Sequence, residues 1–106
     1  MVTTQVCYGL AIMAVYLVSW DLNKEKANYA QAREMLLTRI YEYDHIKDSG
    51  LDSVYFVSTT WSADQIYDDL RKSLDDNDRV IVTKLVQGSH QGWLSKNVWE
   101  WINARF

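Results

Sequence analysis

The chain has 106 residues, 48% hydrophobic and 24% charged, which is enough for one domain with a single core. A formal charge of −3 argues against a sequence-independent nucleic-acid binder, which needs a basic face for phosphate, but is compatible with a metal-dependent enzyme whose cation supplies the positive charge. The single cysteine, Cys7, excludes an intrachain disulfide and a cysteine-rich zinc site, and a cytoplasmic location follows as the default.

Residues 1–12, MVTTQVCYGLAI, read as a leader or a non-native extension, with Met13 opening the domain. They lack the basic start of a secretory signal. The apolar run Val6–Trp20 is too short and too polar to span a bilayer, so no membrane partner is expected. Val2–Val6 would alternatively permit an extra edge strand. Ala14 to Asn23, AVYLVSWDLN, is β-branched and aromatic and predicts a buried strand. Val15, Leu17, Ser19 and Asp21 share one face; Tyr16, Val18, Trp20 and Leu22 share the other. Asp21 at the exit of this strand is placed either to hold a cation or a proton, or to cap the next helix as a solvated loop acid.

Asn28 is a candidate N-cap. Tyr29, Ala32, Leu36, Ile40 and Tyr43 form one stripe, which predicts an amphipathic helix over 29–43. Asp48-Ser49-Gly50 signals a turn, Ser53–Thr59 a strand, and His45–Lys47 its hairpin partner. Ser62-Ala63-Asp64-Gln65 is a capping box with Trp61 and Ile66 as its staple; Ile66, Leu70 and Leu74 continue the helical stripe. Asp75-Asp76-Asn77-Asp78 lacks the glycine and glutamate of a calcium loop and reads as a solvated turn. Arg79–Val86 is the last strand. Ser95 caps a C-terminal helix within 94–106, with Leu94 and Trp99 as a staple pair. Val98, Trp101, Ile102 and Phe106 make one side of it apolar, so it must dock on its own sheet or on a partner subunit.

The order strand–helix–hairpin–helix–strand describes an α+β domain, a ferredoxin-like βαββαβ sandwich with an added C-terminal helix. Right-handed crossovers put both long helices on one sheet face. The other face is expected to stay open and to form a homodimer interface. His45 and His90 are the candidates for general bases near neutral pH, each weighed against a plain loop or strand-edge residue. No Ser/His/Asp spacing, glycine-rich phosphate loop or paired-His metal motif is present.

Three segments carry a resemblance: VYLVSWD, with Trp20-Asp21 in the place of a strand-end Tyr-Asp; DSVYFVSTTWSADQIYDDLRKSL, a Ser-Val-Phe-like strand before a capped helix; and DDNDRVIVTKL, an Asp-x-x-Arg-hydrophobic strand. In their order and spacing, residues 14–86 resemble the CRISPR-associated Cas-two family and its relatives, which include virulence-associated protein D and small SinR-like proteins. The resemblance implies a ferredoxin-like homodimer. It further implies a metal-dependent endonuclease in which two strand-end acids near the two-fold axis bind Mg²⁺ or Mn²⁺. Here Asp21 alone carries over as the catalytic and metal residue. The family's arginine arm has no clear match among His45, Lys47 and Asp48, and the helical C-terminus is closer to the SinR-like relatives. The alternative expectation is a non-catalytic homodimeric module that binds a protein, nucleotide or nucleic acid through its open sheet and aromatic C-terminal helix.

Overall fold

A computed structural model describes residues 12–23 and 27–106. The expectation of a leader over 1–12 therefore lies, apart from Ile12, outside the described residues. Their elements are β1 (Ala14–Asp21), α1 (Tyr29–Ile40), β2 (Asp44–Ile46), β3 (Val54–Thr59), α2 (Ala63–Arg71), β4 (Arg79–Lys84) and α3 (Lys96–Asn103). This is the α+β arrangement expected. The strands form one four-stranded sheet in the order β2-β3-β1-β4. All three neighbouring pairs are antiparallel.

β1 lies inside the sheet because its β-branched and aromatic side chains have cover on both faces. Tyr16, Val18 and Trp20 point to one side, where they meet Tyr55 and Val57 of β3, Leu36, Leu37 and Ile40 of α1, and Ile66 and Leu70 of α2. A polar clamp joins the two helices above this core. Arg39 Nη1 donates to Asp69 Oδ1 at 3.0 Å, and Tyr43 Oη donates to Asp69 Oδ2 at 2.8 Å. Burial, then the Asp69 hydrogen bond, raises the Tyr43 phenol well above its ordinary pKa.

The local signals differ in how they are realised. The capping box of α2 forms in full: Gln65 N–H donates to Ser62 Oγ at 3.2 Å, and Ser62 N–H donates to Gln65 Oε1 at 2.8 Å. Trp61 sets its ring edge-on against Tyr43, with centroids 6.1 Å apart. Asn28 makes no side-chain cap bond. α1 ends at Ile40, not Tyr43, because the chain must turn before β2; Tyr43 N–H then donates to Ile40 O at 3.0 Å. The hairpin partner of β3 starts at Asp44, one residue before the expected His45.

The second sheet face corrects a sequence expectation. It is not left open. Val98 and Ile102 of α3 are fully buried on it, against Val15 and Phe56, with Leu17, Ile46, Leu94 and Trp101 around them. Burying such aliphatic side chains contributes roughly 1.5–3 kcal/mol each, so the apolar side of α3 finds its partner within the same chain. The strand registers set the limit of this cover. Asp44, Ser58 and Val15 form one row across the face; Ile46, Phe56, Leu17 and Thr83 form the next; Val54, Ser19 and Ile81 the third; Asp21 and Arg79 the last. α3 lies over the first two rows. The third row is open at β4, where Ile81 is 61% exposed. No described helix is long and apolar enough to cross a membrane.

Candidate functional site

Asp21 ends β1 in the last row and is exposed to solvent. Its strand partner is Arg79. The Arg79 guanidinium does not turn toward it; Nη1 donates instead to the carbonyls of Asp76 (3.1 Å) and Asp78 (3.0 Å). Among the described residues nothing hydrogen-bonds or ion-pairs with the Asp21 carboxylate, so no cap bond of that kind forms either. The neighbouring turn is fastened by a different acid. Asp78 is buried, and its two carboxylate oxygens accept from Asn23 N–H at 2.9 Å and Asp75 N–H at 3.0 Å.

The two histidines lie far from Asp21. His45 is in the row of Val57 and Tyr16, on the face covered by α1 and α2. Tyr16 is five positions from Asp21 along β1, roughly 17 Å at the rise of an extended strand. His45 Nδ1 donates to the Tyr43 carbonyl at 2.8 Å, and its ring stacks on Tyr41 with centroids 5.2 Å apart. Tyr55 sits beside both rings and meets the Tyr41 hydroxyl at 3.2 Å. Burial, then that hydroxyl, pushes the Tyr55 phenol up to about 12. His90 follows β4 and belongs to a second aromatic group. Its Nδ1 donates to the Val86 carbonyl at 2.9 Å, and its ring stacks on Trp99 (5.9 Å) and Phe106 (5.2 Å). Asp21, His45 and His90 therefore do not converge on one reacting atom. Among the described residues no three His, Cys, Asp or Glu side chains come together as metal ligands. A second carboxylate for a cation at Asp21 could come from another copy of the chain.

The structure forms a cleft that the sequence did not announce. It lies between α3, the loop after β4 and the sheet face on which α3 docks, with a volume of about 290 Å³. Leu17, Phe56, Leu85, Leu94 and Trp99 supply apolar walls, while His90 and Gln91 bring polar edges. Trp93 stands at its rim, 100% exposed. One bond pins the rim to the rest of the fold: Ser95 N–H donates to Asp48 Oδ2 at 2.6 Å. Asp48 Oδ1 accepts from Gly50 N–H at 2.8 Å in the turn before β3. These two backbone bonds, Ser95 first, hold the Asp48 carboxyl below the usual carboxylate pKa. The Asp48-Ser49-Gly50 turn was visible in the sequence; its reach to Ser95 was not, because no local pattern encodes a contact between distant segments. Gly88, with φ of +84°, occupies the left-handed region in the loop that returns the chain toward α3.

No protein-family model matches the chain, and no curated protein matches it.

Proposed function

We propose that this chain is a homodimeric, ferredoxin-like binding module whose cleft under α3 takes an apolar side chain of a protein partner. Two helices on one face of a β2-β3-β1-β4 antiparallel sheet support the ferredoxin-like reading. The cleft carries the functional one. Binding sites are concave, mostly apolar and edged by a few polar groups, as this cleft is. Its volume of about 290 Å³ falls at the small end of the range for ligand sites, so it suits one large side chain better than a larger ligand. The fully exposed Trp93 at the rim is a residue type enriched at protein interfaces. A net charge of −3 favours a protein partner over nucleic acid.

The test is a titration with 1-anilinonaphthalene-8-sulfonate, a fluorescent apolar probe. Saturable binding at one site, weakened by Trp93→Ala and by Leu85→Asp, supports the cleft. Binding that neither substitution alters removes it.

A second reading keeps Asp21 as the centre of a metal-dependent endonuclease. The exposure of Asp21 at the end of the sheet face that α3 leaves uncovered favours it. Two Asp21 carboxylates from a dimer could hold one Mg²⁺ or Mn²⁺ with several waters, and the cation would act as Lewis acid on a phosphodiester. Metal-dependent cleavage of single-stranded nucleic acid, lost in Asp21→Asn, would establish this reading.

A further inference from the structure

Among the described strands β4 lies at the edge of the sheet, six residues long and free of proline. An edge of that length is a template for another strand unless charge, a bulge or a covering element blocks it. Arg79 and Lys84 stand at the two ends of β4; its centre is Val80-Ile81-Val82.

The register tells which backbone groups face outward. Leu85 N–H donates to Val15 O at 2.8 Å, one step beyond the Tyr16–Lys84 pair. Hydrogen-bonded and non-hydrogen-bonded pairs alternate in an antiparallel ladder. Ile81 and Thr83 therefore turn their N–H and C=O toward β1. Val80 and Val82 turn theirs outward, where no described residue receives them. Exposed apolar side chains flank this edge on both sides of the sheet. Ile81 is 61% exposed on one, and Tyr67 of α2, which lines a groove with Val80, is 41% exposed on the other.

We infer that a second copy of this chain occupies the edge, β4 against β4, antiparallel across a two-fold axis beside Ile81; this deepens the homodimer reading and rests on it. A two-fold axis normal to the sheet keeps each face on its own side, so only residues of one face pair, and the axis must pass beside a residue. With Ile81 at the centre, Ile81 meets its own copy, Val80 meets Val82, and Arg79 meets Thr83. Lys84 then meets Asp78, at the acidic turn Asp75–Asp78. A centre on Val82 sets Val80 against Lys84 and Ile81 against Thr83. A centre on Val80 sets Ile81 against Arg79 and Val82 against Asp78. Only the Ile81 register joins apolar to apolar while it brings Lys84 to the acidic turn Asp75–Asp78 of its copy. In it the Val80–Val82 pairs exchange the outward hydrogen bonds, and Ile81 falls at a non-hydrogen-bonded position.

Cysteine cross-linking reads this register directly. At a non-hydrogen-bonded pair the Cα atoms are about 4.5 Å apart, within the span of about 4.4–6.8 Å that a disulfide accepts. Two copies of position 83 would be roughly 14 Å apart, four residues along the strand. In a Cys7→Ser background, Ile81→Cys should link into a covalent dimer under mild oxidation at micromolar protein, and Thr83→Cys should link at least about tenfold more slowly. Sedimentation of the wild-type chain and amide exchange at Val80 and Val82 accompany the cross-linking and depend on no variant. A wild-type dimer in which Ile81→Cys fails to link, or Thr83→Cys links as fast, overturns the β4 edge and leaves the homodimer standing. A wild-type monomer overturns both. In that monomer, protected Val80 and Val82 amides would identify another part of the same chain as the occupant.

Discussion

The backbone N–H of Ser95 donates to Asp48 Oδ2 at 2.6 Å across 47 positions of sequence. This bond fastens the start of α3 to the turn that precedes β3, and α3 in turn forms one wall of the cleft. The Ser95 side chain makes no cap bond within α3, and Asp48 instead holds the N–H of the N-cap residue itself.

Asp48→Ala should therefore lower the denaturation midpoint and loosen α3. The sign of its pH dependence follows from the carboxyl pKa, which folding depresses. A depressed carboxylate stabilises the fold above its unfolded pKa of about 3.9 and loses that contribution as pH falls through the folded value. The difference in midpoint between wild type and Asp48→Ala should be full at neutral pH and shrink below about pH 4. A difference that stays constant down to acid unfolding would show that the carboxylate charge is not what holds Ser95.

Ile102→Ala should cost about 2–5 kcal/mol, the range for truncating a buried aliphatic side chain, because Ile102 is fully buried between α3 and the sheet. Trp93→Ala should leave the midpoint within about 0.5 kcal/mol of wild type, as a surface change does. Urea denaturation of the two variants side by side checks both. Equal effects would mean that α3 does not dock as described.

Alkaline titration should find late phenols among the seven tyrosines. Tyr55 should ionise near pH 12, and Tyr43 also well above the ordinary value. A raised tyrosine pKa contributes stability that is whole below the unfolded value of about 10 and is lost as pH rises through the folded one. Tyr55→Phe should therefore remove a late step from the phenolate absorbance curve and reduce the loss of stability above about pH 10. An unchanged curve would place Tyr55 in water.

Much of this architecture was legible from local pattern. The β-branched alternation of Ala14–Asn23 and the Ser62–Gln65 capping box each specify structure within a few residues; both form, with the strand ending at Asp21. The C-terminal helix was also legible from Val98, Trp101 and Ile102. Its apolar side left two docking options, its own sheet or a partner subunit, and it takes the first. The expectation of an open sheet left out the loop 85–95, which carries α3 back over Val15 and Phe56. Asp21, the one residue singled out for chemistry, is exposed at the end of β1, and among the described residues it joins no group of three or more potential metal ligands.

Asp21→Asn should change stability by less than about 0.5 kcal/mol, because the carboxylate has no bond to lose among the described residues. Under the binding-module reading, Mg²⁺ and Mn²⁺ titrations followed by tryptophan fluorescence should be the same for wild type and variant, with no nucleic-acid cleavage by either. Cleavage by wild type alone would transfer the function to the metal-dependent reading.

The cleft is tested most directly by titrating the wild-type chain with 1-anilinonaphthalene-8-sulfonate beside Trp93→Ala and Leu85→Asp, with folding of all three checked by circular dichroism. A protein that uses the cleft should give saturable, one-site fluorescence enhancement in the wild type and weaker binding in both variants, with spectra unchanged. No saturable binding, or equal binding by all three folded proteins, would contradict the cleft as the site.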